Sequence, residues 1–95
     1  PIAVDFFDLL AGSNCEIEEF KLTDNLAKIQ YFKTNKGNDF NYSKLGGALL
    51  LATKVSGTLR GNPNDKFTLS PGMTLIFLGS QEQLECAREK LREIM

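Results

Sequence analysis

Ninety-five residues, 42% hydrophobic and 24% charged, make one ordinary domain with a modest core. A net charge of −1 with scattered lysines and arginines argues against a nucleic-acid partner, which needs a basic patch. No apolar run approaches the roughly 20 residues that cross a bilayer, no signal-peptide pattern is present, and the absence of histidine removes the commonest general base and metal ligand.

In chain order, residues 1–11 read as a short helix. Pro1 stands at its start, Val4, Phe6, Phe7 and Leu10 recur near helical spacing, and Gly12 stands where a glycine cap belongs. Residues 15–22 read as a strand with an awkward pattern. Cys15 and Ile17 share one face, whereas Phe20 and Leu22 share the other, so a bulge near Glu18-Glu19 or a change of neighbours is expected. From 23 to 47, Asp24 or Thr23 caps a short helix through Leu26, Ile29 and Phe32 or Phe40. The polar stretch 33–41 then reads as an exposed loop.

Residues 48–84 are the most legible part. The apolar runs Ala48–Val55 and 73–78 are too short for independent helices and are bounded by glycines, which fits strands buried on both faces, with a buried helix segment as the alternative for so short a run. Val55-Ser56-Gly57-Thr58, Asn62-Pro63-Asn64-Asp65 and Ser70-Pro71-Gly72 read as turns. Ser80 followed by Gln83 makes a capping box for a final helix whose buried stripe is Leu84, Ala87, Leu91 and Ile94. Cys15 and Cys86 fall on different elements and are expected as small buried thiols rather than a bridge. Asn41-Tyr42-Ser43 matches the glycosylation sequon and is read as chance.

The strand "ALLLATK", the turn into "GTLRGNPNDKFTLSPG" and the ending "MTLIFLGSQEQL" together resemble the C-terminal lobe of the RCK domain, also called the TrkA C-terminal domain. The resemblance begins at Pro1-Ile2-Ala3-Val4, continues through Glu16-Ile17-Glu18-Glu19, and is poor from about 28 to 44. One departure is Met73, where the family usually has an acidic residue after the turn glycine. The resemblance implies an α+β fold, a small antiparallel sheet with flanking helices. Residues 1–95 would form one regulatory domain, with 1–12 as a leading helix and 15–95 as the lobe. It further implies a cytosolic ligand-sensing and dimerisation domain that regulates potassium transport as part of a channel or uptake system. The start at Pro1 rather than Met suggests a domain cut from something larger. Alternatives are a similar module on another ion or carboxylate transporter, or a purely structural dimerisation module.

No catalytic group assembles from these residues. Two isolated cysteines cannot make a four-thiolate site, neither GxGxxG nor a P-loop occurs, and an enzyme is not expected. The acidic cluster Glu16, Glu18 and Glu19 is a candidate for Ca²⁺ or another hard divalent cation, as some RCK domains bind. An ideal strand points Glu16 and Glu18 to one face and Glu19 to the other, and a solvated edge that discourages strand pairing is the competing reading. Arg60, Asn62 and Asn64 form a candidate ligand site, since Arg presents a planar fork suited to phosphate. Some family members bind nucleotides or cyclic dinucleotides between subunits. NAD is not expected, because the resemblance lacks the dinucleotide-binding half. The adjacent Phe6 and Phe7 with Leu10 are candidates for a homodimer interface.

Overall fold

The computed structural model describes residues 14–36, 41–42, 44–61 and 68–95. The helix expected over residues 1–11, with Phe6, Phe7 and Leu10, and the turn holding Asn62 and Asn64 lie outside the described residues. The described elements are β1 (Cys15–Lys21), α1 (Leu26–Lys36), β2 (Lys44–Leu45), β3 (Ala48–Val55), β4 (Thr58–Gly61), β5 (Thr74–Ser80) and α2 (Gln81–Leu91), the last ending in a 3-10 turn, Arg92–Ile94. The fold is α+β.

Every strand pairing is antiparallel, in the order β1-β5-β3-β2, with β4 also paired to β3. The β3–β4 hairpin closes through Ser56 (φ 50°) and Gly57 (φ 81°), both in the left-handed region. That two-residue geometry matches the right-handed twist of the flanking strands, and it fixes the register Val55↔Thr58 and Thr53↔Arg60. The turns expected at Ser56-Gly57 and at Pro71-Gly72 are both present.

The helices share one side of the sheet. Leu84, Ala87, Leu91 and Ile94 from α2 and its 3-10 turn, and Ile29 and Phe32 from α1, join Phe20, Leu50, Leu75 and Phe77 in a single buried cluster. The capping box at the start of α2 is formed as expected. Ser80 Oγ accepts from the Gln83 N–H at 3.2 Å, and Gln83 Oε1 accepts from the Ser80 N–H at 3.0 Å. The loop before α1 is tied in by backbone bonds from Leu22 N–H to Met73 O, from Gly72 N–H to Thr23 O and from Thr23 N–H to Ile94 O, at 2.6 to 2.8 Å.

Four expectations need correction. First, β1 has no bulge near Glu18-Glu19: its register against β5 runs unbroken from Cys15↔Ser80 to Lys21↔Thr74. The conflict in its pattern is resolved by leaving Ile17 exposed while Phe20 is buried. The irregularity is in β3, where the register against β5 shifts between Leu50 and Ala52, so that Leu51 is the extra residue.

Second, the two apolar runs are not buried on both faces. Strand β5 alternates buried and half-buried residues, and Leu49 is exposed, because both helices cover the same side. Third, α1 reaches Lys36, into the stretch read as a loop, and its cap is Asn25, whose Oδ1 accepts from the Lys28 N–H at 3.2 Å. The polar residues 33–36 are the outward side of a helix that buries only Ile29 and Phe32, and Leu26 is exposed. Lys33 and Lys36 suit the negative end of the helix dipole. Fourth, Cys86 is exposed rather than buried, since it stands between the buried Leu84 and Ala87 on the outward side of α2; Cys15 is half-buried.

Candidate functional site

Three places on the described surface bear on function. The first is the acidic edge strand. On β1, Glu16 and Glu18 point toward the helix side and Glu19 to the opposite face, since adjacent strand residues alternate. Glu18 forms an ion pair with Arg88 of α2, and Arg88 also reaches Glu85 at 3.4 Å. The Arg88 guanidinium lies 5.2 Å from the centre of the Phe20 ring, a cation–π distance. Glu16 Oε1 accepts from Gln81 Nε2 at 3.4 Å.

The three carboxylates therefore do not converge. Among the described residues, no group of three or more metal-ligating side chains is placed to hold a metal ion. What Glu16 and Glu18 do is fasten α2 to the sheet edge, and these half-exposed contacts contribute up to about 1 kcal/mol each.

The second place is the helix-side surface of the β3–β4 hairpin, beyond the end of α2. The ladder sets Thr53 opposite Arg60 and Val55 opposite Thr58 on this side. With Thr68, Ser70 and Met73 they line a cleft of about 540 Å³. Among the described residues its polar lining is four hydroxyls and one guanidinium, and its apolar wall is Val55 and the thioether of Met73. Met73, the departure from the resembled family, is buried, and its Sδ accepts from the Ser70 N–H at 3.2 Å.

Of the sequence candidates here, only Arg60 falls within the described residues. Thr53, Thr58, Thr68 and Ser70 were not singled out from the sequence. The signal for two of them was present nonetheless, because a two-residue turn at Ser56-Gly57 places Thr53 opposite Arg60 by counting outward.

The third place is the sheet face away from the helices. Ile17, Leu78 and Leu49 stand in one row across β1, β5 and β3, with Glu19, Ile76 and Ala52 in the next. Ile17 and Leu49 are each 48% exposed, and no described element lies over them.

At the head of α2 a hollow of about 580 Å³ is lined by Asn14, Cys15, Glu16, Ser80, Gln81 and Glu82. There the two carboxylates already occupy the positive end of the helix dipole. Burial pushes the Tyr42 hydroxyl above its ordinary pKa, so it stays a neutral phenol in the core. No helix among the described residues is long and apolar enough to cross a membrane. No protein-family model matches the chain, and no curated protein matches it significantly.

Proposed function

We propose that the chain is a regulatory domain of the RCK C-terminal type, a cytosolic ligand-sensing and dimerisation module of a potassium channel or uptake system. The observation that carries this reading is residues 48–84. The stretch that resembles the family in sequence is also the one that supplies β3, β4, β5 and the capped start of α2. The order strand, helix, strands, helix over the described residues and the α+β class are in keeping with such a lobe. In this role a ligand favouring one packing of paired domains biases a gate by population shift. The apolar sheet face supports a second reading, a dimerisation module that takes no ligand.

Thermal denaturation at two protein concentrations tests both, against Ca²⁺, Mg²⁺, K⁺, ATP, ADP and cyclic dinucleotides. A ligand at about a hundred times its Kd adds roughly 2.7 kcal/mol, which moves the midpoint by on the order of ten degrees or more. A shift with one of these ligands is the expected result. A midpoint that rises with protein concentration and ignores every ligand supports the structural module instead. The gene upstream of residue 1 separates the transport settings: a pore segment with a dinucleotide-binding half supports the channel, and a set of many membrane helices supports a transporter.

A further inference from the structure

We infer that a single copy of the chain binds a small phosphate ester in the hairpin cleft, with Arg60 holding the phosphate and Thr53 beside it. The inference rests on the ligand-sensing reading and deepens it by naming the ligand class and the side chains.

Charge is the first argument. Three arginines are described. Arg88 and Arg92 each pair with glutamates, whereas Arg60 makes no hydrogen bond or ion pair among the described residues. Among the described residues that line the cleft with it, none is a carboxylate. A guanidinium with five N–H donors in a fixed fork is thus left facing a concave surface, the geometry that recognises an oxyanion.

The hydroxyls are the second argument. Thr53 is buried to the level of the core, at 5% exposure, and it stands directly across the ladder from Arg60. Thr58, Thr68 and Ser70 add three more hydroxyls from two other segments. A carboxylate offers two oxygens and is satisfied by one guanidinium fork. A phosphate ester presents three terminal oxygens, and the surplus of donors here matches that demand.

Size and the apolar wall are the third. A cleft of about 540 Å³ falls within the range of small-molecule sites and leaves room beyond the phosphate. Val55, 38% exposed, and buried Met73 form the surface against which the rest of an organic ester lies.

The test is titration calorimetry on the whole 95-residue chain with inorganic phosphate, glucose 6-phosphate and adenosine monophosphate, at two protein concentrations. At least one ester is expected to bind with one ligand per chain, independently of protein concentration, and more tightly than inorganic phosphate. Arg60→Gln, at an exposed position, should weaken it by about tenfold or more, the value of a charge-assisted hydrogen bond. Thr53→Val should weaken it by about threefold or more. Lys54→Gln, on the opposite face, should leave it unchanged, and circular dichroism checks that each variant folds.

Absence of binding by both esters overturns the inference, and so does binding indifferent to Arg60→Gln. Equal affinity for all three probes would reassign the cleft to free phosphate and overturn the ester. One ligand per two chains would overturn the single-copy site while leaving the regulatory reading standing, as would a melting shift with Ca²⁺ or a cyclic dinucleotide alone.

Discussion

The two faces of the sheet are made from the same strands and behave differently. On the helix side, Phe20, Leu75 and Phe77 are fully buried, with Phe20 and Phe77 in ring contact at 5.4 Å between centroids. On the far side, Ile17 and Leu49 keep nearly half their surface, although they are as apolar and both pair with Leu78, the residue next to Phe77. The difference shows where the folding free energy of the described chain resides. Burying a large apolar side chain contributes about 1.5–3 kcal/mol, and the helices supply that burial on one side only.

Substitutions on opposite faces sharpen this contrast. The largest effect is expected for Phe77→Ala, which removes a fully buried ring and costs about 3–5 kcal/mol. Urea denaturation would measure it, and a loss below about 1 kcal/mol would break the assignment of this face as the core. Next is Gly46→Ala. Gly46 has φ +63°, and an added Cβ would lie 2.8 Å from the Ala87 backbone nitrogen on α2. Strain and clash together should cost about 1–3 kcal/mol, more than Gly57→Ala, whose Cβ would meet open space at a similar φ.

Ser80→Ala should cost about 1 kcal/mol, because it leaves the Gln83 N–H without its cap. On the far face, Ile17→Ser combined with Leu49→Ser should change the stability of a monomer by about 0.5 kcal/mol or less. The same pair should weaken self-association in sedimentation velocity if this face joins two copies. A cost comparable with Phe77→Ala would show instead that the face is covered within the chain.

The smallest effect concerns Tyr42. Its folded pKa is raised by burial, so the folded state holds the phenolic proton more tightly than the unfolded chain. The associated stability is complete below the unfolded value of about 10 and is lost as pH rises through the folded value. Tyr42→Phe should flatten the alkaline limb of a stability-against-pH curve relative to the native chain and leave neutral pH nearly unaffected in slope.

Legibility in the sequence followed the range of the interaction responsible. Ala48–Val55 is the full extent of β3, the Ser56-Gly57 and Pro71-Gly72 turns are present, and the Ser80–Gln83 box starts α2. Each depends on residues a few positions apart. The helical state of residues 33–36 was hidden, because those four residues are polar and α1 buries only Ile29 and Phe32. The cleft was half hidden: Arg60 is visible as a charge, but nothing local in the sequence joins it to Thr68 and Ser70. The acidic cluster looked dense in sequence, yet Glu18 is spent on Arg88, seventy residues away.

Where the strands turn, how the hairpin registers and where the last helix starts follow from neighbouring residues alone, because turn dihedrals and caps are set by local sterics and hydrogen bonds. The sequence also ruled out histidine chemistry by composition alone. Which face of the sheet became the core was settled by long-range packing. Strand β5 reads Thr-Leu-Ile-Phe-Leu and is apolar on both sides, so alternation offers no choice between them. The choice fell to the helices, whose single apolar stripes can be buried only where both meet the same surface.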